Sequence, residues 1–178
     1  EFEDIKKMYD SHERNKSFNA LVYGPMGSGK THLARTCRGP VLIHSFDPGG
    51  TKTVRDEIES GKIFADTRYE DEDPLKPSAF ETWDREYHRL KSGGLFDKIG
   101  TFVIDSATTW ASAAMNVVLK RAGRLGSQPF QQDYLPAMVL IENAIKDMTT
   151  LPCDCLLICH EDSDKEKHQE RCSSARCL

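Results

Sequence analysis

The sequence predicts an α/β domain, a mostly parallel five-stranded sheet with helices on both faces. Three observations predict it. Short, near-continuous apolar runs alternate with helical patterns along the chain. The runs have the character of strands buried on both sides, as in a parallel sheet covered by helices. The first run also leads directly into a glycine-rich loop ending Gly29-Lys30-Thr31.

The elements follow in order. Residues 1–17 are charged, with Ile5, Met8 and Tyr9 at helical spacing, so a short peripheral helix is expected ahead of the core. Ala20-Leu21-Val22-Tyr23 reads as the first strand, and residues 29–38 as a helix stopped by Gly39-Pro40. Residues 41–46 form a second strand, Asp47-Pro48-Gly49-Gly50 a turn, and residues 51–60 a helix closed by Gly61. The third strand spans 62–66.

Residues 70–74 are acidic and broken by Pro74, which predicts a solvated connection. Ser78 and Glu81 have capping-box spacing, and Phe80, Trp83, Tyr87 and Leu90 then form one apolar helical stripe destined for the core. Gly93-Gly94 ends that helix. Residues 101–105 are the fourth strand, followed by helix to Ala122, a loop over 123–132, and a helix capped by Asp133 that runs to Met148. Residues 155–160 are the fifth strand. The expected division is a peripheral helix within 1–18, a core over 19–161, and a polar tail over 162–178, disordered or truncated.

The 178 residues suit one domain of about 100–200 residues. No stretch approaches the ~20 apolar residues of a membrane span. A cytoplasmic protein is expected, because the first residues also lack the apolar run of a secretory signal. The net charge of −4 argues against a strongly basic nucleic-acid wrapper, although a local basic patch suffices to bind DNA. Five of the six cysteines lie beyond residue 150, and Cys153, Cys155 and Cys159 share one face of a strand. Their spacing is not that of a zinc ribbon, and reduced, mostly buried thiols are expected.

Gly24-Pro25-Met26-Gly27-Ser28-Gly29-Lys30-Thr31 fits the phosphate-loop pattern in full and sits between a strand and a helix. Its glycines allow backbone N–H groups to turn toward an anion, and the helix N-terminus favours negative charge. Lys30 supplies a cation to the β- and γ-phosphates, and the Thr31 hydroxyl suits Mg²⁺, which prefers hard oxygen donors. The expected fold is thus that of a P-loop NTPase, with ATP and Mg²⁺ as ligands. Asp105, closing an apolar strand, is expected as the second Mg²⁺ residue, with a helix cap as the alternative. Asp47 is either the group that activates water or a turn residue. His160, ending the fifth strand, either senses the γ-phosphate or serves structure. Glu57 is expected to be solvated.

The series GPMGSGKT, DPGG, FVIDS and LLICHE resembles the phage-encoded RecA-like ATP-binding proteins, over roughly residues 19–161. Members of that group are associated with DNA recombination and single-strand annealing. The resemblance implies phosphate and Mg²⁺ roles for Lys30 and Thr31 and a second Mg²⁺ role for Asp105. His160 matches the polar residue that, in RecA, couples nucleotide state to DNA binding. Asp47 stands where RecA has a catalytic Glu, a departure bearing on hydrolysis. Arg121, Arg124, Gln128, Phe130, Gln131, Gln132 and Tyr134 fall at the first DNA-binding loop, where cations and aromatics contact phosphates and stack bases. A solvated loop is the alternative. Residues 162–178 lack the strand pattern with which RecA-like domains continue.

The resemblance implies an ATPase that binds single-stranded DNA and assembles into rings or filaments in a host cytoplasm. Two other functions share the loop. One is a nucleotide-dependent protein-binding switch without DNA, a loader or packaging accessory. The other is a small-molecule kinase, whose lid would be Lys120-Arg121-Ala122-Gly123-Arg124.

Overall fold

A computed structural model of the chain describes residues 1–11 and 17–161. The five apolar runs form one all-parallel sheet of β1 (Asn19–Gly24), β2 (Val41–Ser45), β3 (Ile63–Asp66), β4 (Thr101–Asp105) and β5 (Asp154–His160). Their spatial order is β1-β5-β4-β2-β3, so β5 separates the strand that precedes the phosphate loop from the strand that ends in Asp105. The expected α/β class and parallel sheet are both present.

Alternation along the strands divides the core in two. Leu42, Phe46, Phe102, Ile104, Cys153 and Cys155 pack on one face beneath α3 (Ala79–Ser92), α4 (Ala107–Arg121) and α5 (Gln131–Met148). Val41, Ile43, Val103, Leu156 and Ile158 pack on the other, with Ala34, Val54 and Ile58. The shared face predicted for the cysteines is real, and Cys153 and Cys155 are free and buried. Cys172 and Cys177 lie outside the described residues, as does the tail over 162–178.

The stripe on α3 is core, as its spacing predicts. Trp83 stacks on Tyr87 at 5.3 Å and meets Trp110 of α4 edge-on at 5.0 Å. Each such pair adds about 0.5–1.5 kcal/mol beyond area burial. A charge-assisted contact ties α3 to α5: Asp147 accepts from the Tyr87 hydroxyl at 2.8 Å and from Lys91 Nζ at 2.6 Å.

Several local expectations are corrected. The segment after the phosphate loop is a 3₁₀ helix, Thr31–Thr36, where an α-helix over 29–38 was expected. It buries only Ala34, the Thr36 hydroxyl bonds back to the Leu33 carbonyl at 2.8 Å, and so no apolar face extends it. Residues 51–60 split into a 3₁₀ helix, Gly50–Val54, and α2, Arg55–Glu59, because Val54 leaves helical geometry as its side chain buries. The expected capping box at Ser78 and Glu81 does not form. Glu72 caps α3 instead, accepting from the backbone N–H groups of Ser78 (3.1 Å) and Ala79 (2.9 Å), while Glu81 pairs with Lys120 at 2.7 Å. The acidic stretch is therefore not a merely solvated connection. Asp133 acts from inside the first turn of α5, accepting from the Phe130 N–H at 2.6 Å. Glu57, expected in solvent, pairs with Arg35 at 2.5 Å. α1 (Phe2–Ser11) forms as expected. Among the described residues no helix is long and apolar enough to cross a membrane.

At the end of β3, burial would by itself raise the Asp66 pKa. Donation from the Arg68 side chain (2.9 Å from Nε), the Arg68 N–H and the Tyr69 hydroxyl (2.9 Å) outweighs it and brings the group to about 2. A folded-state pKa below the unfolded value of about 3.9 stabilises the protein above that pH and loses its contribution as pH falls toward 2. Urea titrations between about pH 2 and 6 should therefore show Asp66→Asn less stable than the native chain near pH 6, with the gap closing in acid.

Candidate nucleotide site

Parallel strands place all their C-terminal ends on one edge, and that edge carries every principal candidate residue. Gly24 of β1 is in register with His160 of β5, and Ser45 of β2 with Asp105 of β4. A cavity of about 560 Å³ opens there, lined by Met26, Gly27, Gly29, Lys30, Thr31, Asp47, Asp105 and His160 among others. The structure thus brings together the phosphate loop, both expected Mg²⁺ residues, the water-activation candidate Asp47 and the γ-phosphate-sensing candidate His160.

The loop turns tightly, with the Ser28 N–H on the Pro25 carbonyl at 3.3 Å. Gly27 and Gly29 have φ of +77° and +86°, and no atom stands within 4 Å of where a Cβ would be. These glycines are required by backbone conformation and not by space. Lys30 Nζ donates to the Gly24 and Pro25 carbonyls, each at 2.8 Å, so the cation lies folded against its own loop.

The Thr31 hydroxyl donates to Asp105 Oδ2 at 2.6 Å. Because β5 lies between β1 and β4, the two parent strands are about 10 Å apart at the normal strand spacing. The loop must curl across the end of β5 to close that gap. Asp105 is 3 % exposed. Burial pushes its pKa up, the Thr31 hydroxyl and the Lys30 and His160 charges pull it down, and the Asp47 carboxylate adds a further rise. A cation beside this pair relieves the burial of negative charge. A hydroxyl and a carboxylate in contact form a hard-oxygen set that fits Mg²⁺, which fills its remaining positions from phosphates and water.

Asp47 serves the turn and also lines the cavity. Its carbonyl closes the turn by accepting from the Gly50 N–H at 2.9 Å, while its carboxylate enters the cavity. Oδ2 meets His160 Nε2 at 2.6 Å, and Oδ1 accepts from the Ser106 hydroxyl at 3.0 Å and from the Thr109 hydroxyl. Ser106 is the N-cap of α4, where its side chain also accepts from the Thr109 N–H at 3.2 Å. Sequence reasoning missed Ser106 and Thr109 as site residues. Their signal is a hydroxyl pair at cap spacing directly after the strand-ending carboxylate. Thr108 was also missed; its hydroxyl accepts from the His160 N–H at 2.9 Å.

The candidate DNA residues lie elsewhere. Arg121 ends α4, about 22 Å along the helix axis from its start beside Asp105. Arg124 pairs with Asp133 and places its guanidinium 4.5 Å from the centre of the Phe130 ring. Gln128, Gln131 and Gln132 are exposed, Phe130 is 59 % exposed and Tyr134 54 %. Lys120 and Arg124 of the kinase-lid candidate are thus both committed to carboxylates, and no residue of that segment lines the cavity.

A family model for the AAA domain, AAA_24, matches residues 16–176. No curated protein matches the chain.

Replacing Gly29 by Ala tests the conformational reading of the loop. An L side chain at that φ costs about 1–2 kcal/mol. Urea unfolding without nucleotide should show a loss of about that size, since no clash is added.

Proposed function

The chain belongs to the AAA domain family, and we propose that it binds ATP with Mg²⁺ in this cavity and hydrolyses the terminal phosphate. An AAA domain is in general a nucleotide-binding ATPase domain. The observation that carries the finer reading is the Thr31–Asp105 contact at 2.6 Å, beside a lysine of the phosphate loop and inside one cavity.

Lys30 leaves the Gly24 and Pro25 carbonyls for the phosphate oxygens, and N–H groups of the glycine-rich loop complete the anion site. Thr31 and Asp105 hold Mg²⁺, which when bound neutralises charge on the phosphates. Asp47 is the carboxylate that accepts the proton of the attacking water. Adenine over guanine rests on the family resemblance.

Single-stranded DNA binding extends this reading, as in the recombination role of the phage RecA-like proteins the sequence resembles. Supporting it are the exposed Arg121 and Gln128 and the exposed Phe130 ring, backed by Arg124 as a stacking platform. Assembly into rings or filaments belongs to the same reading. The net charge of −4 and the neutralisation of Arg124 by Asp133 favour the second reading, a nucleotide-dependent protein-binding switch.

Calorimetry and phosphate release test the site. Lys30→Ala should abolish tight ATP binding, whereas Asp105→Ala should retain measurable binding and lose turnover by about a hundredfold or more. Unchanged turnover in either variant would remove the hydrolysis reading.

DNA is tested by titrating a labelled oligonucleotide with and without a non-hydrolysable ATP analogue. The first reading expects nucleotide-stimulated affinity that falls steeply with salt and weakens in Arg121→Ala. The switch reading expects no DNA affinity and a nucleotide-dependent change in light scattering.

A further inference from the structure

Water activation requires a carboxylate oxygen able to accept a proton, and both oxygens of Asp47 already accept hydrogen bonds, Oδ2 keeping one further acceptor site. Oδ1 takes the Ser106 and Thr109 hydroxyls and Oδ2 takes His160 Nε2. An ionised carboxylate only accepts, so the imidazole is the donor and Nε2 carries the hydrogen.

The partners of Asp47 differ in how firmly they are held. Ser106 is the N-cap of α4 and Thr109 lies in its first turn, and the Ser106 hydroxyl oxygen also accepts from the Thr109 N–H at 3.2 Å. They are a fixed mount. His160 is the last residue of β5, and its ring reaches across the end of β4 to a residue beyond β2. Its other nitrogen, Nδ1, is buried without a hydrogen-bond partner among the described residues. One hydrogen bond therefore fixes the imidazole, while the backbone of His160 is pinned separately through Thr108. The ring can leave Asp47 without moving the strand.

We propose that His160 is a gate on Asp47: it covers Oδ2 in the nucleotide-free protein and is drawn off by the γ-phosphate of ATP, which competes as a more highly charged acceptor. This rests on the reading of the cavity as an ATP site. The two groups line the same cavity as Lys30, so the phosphate and the imidazole come within reach of each other. Uncovered Oδ2 then accepts a proton from water as the water oxygen bonds to the γ-phosphorus. The bond from that phosphorus to the β–γ bridging oxygen breaks, and ADP leaves with its electron pair. ADP has no γ-phosphate to draw the imidazole, and the gate closes again. Thr109 and Ser106 are positioning residues that keep Oδ1 fixed throughout.

Histidine-ring ¹⁵N NMR of the intact chain reads the gate directly, with His160→Gln identifying the resonance among six histidines. The Nε2–H form should be seen in the free protein, moved by a non-hydrolysable ATP analogue with Mg²⁺ and left unmoved by ADP. If calorimetry shows the analogue bound and the His160 signals stay in place, the gate is wrong and the ATP reading stands. If the analogue does not bind, both fall. Thr109→Val should lower kcat about tenfold with KM changed less than about twofold, and Thr109→Ser should restore it. An unaltered kcat in Thr109→Val would overturn the positioning of Asp47.

Discussion

A single hydrogen bond between two non-adjacent strands organises the functional edge of this protein. Thr31 follows β1 and Asp105 ends β4, with β5 between them, yet hydroxyl and carboxylate meet at 2.6 Å. That contact fixes how far the phosphate loop must lean over the sheet, and so sets the floor of the cavity. It also partly satisfies a carboxylate that burial would otherwise force toward its neutral form. Sheet order, loop curvature and the electrostatics of Asp105 are three aspects of one constraint.

Around that floor, polar groups are held by other polar groups and the apolar core stays outside. Asp47 gathers donors from β5 and α4, Glu70 accepts from the Gly49 N–H at 3.2 Å, and Glu72 caps α3 while accepting from Asn116 at 3.1 Å. The acidic connection before α3 thereby supports both the turn after β2 and the helices on one face. Glu72 is held by donors on both of its oxygens, which is how such a group is kept near an interior without unpaired cost.

The strands and the phosphate loop were legible because both depend on local sequence. Apolar runs such as Thr101-Phe102-Val103-Ile104 announce burial on both faces, and the loop glycines announce positive φ. Asp105 was legible from its place at the end of such a run. What escaped depends on partners distant in sequence. Glu72 reaches a helix start six and seven residues ahead, defeating the capping signal at Ser78. Arg124 looks like a free cation until folding sets Asp133 and Phe130 beside it. The 3₁₀ form of Thr31–Thr36 reflects a segment too shallowly buried to reward a full α-helix, which propensity alone does not reveal. The joining of Asp47 to His160 spans 113 positions and two strand spacings, and no local pattern carries it.

One backbone contact gives the last described residue an unusual place. The Glu161 N–H donates at 3.0 Å to the carbonyl of Gly24, the same oxygen that takes Lys30 Nζ at 2.8 Å. Under the proposed ATP reading Lys30 turns to phosphate, and that oxygen keeps the Glu161 N–H. The exit from β5 is therefore mechanically in series with the phosphate loop.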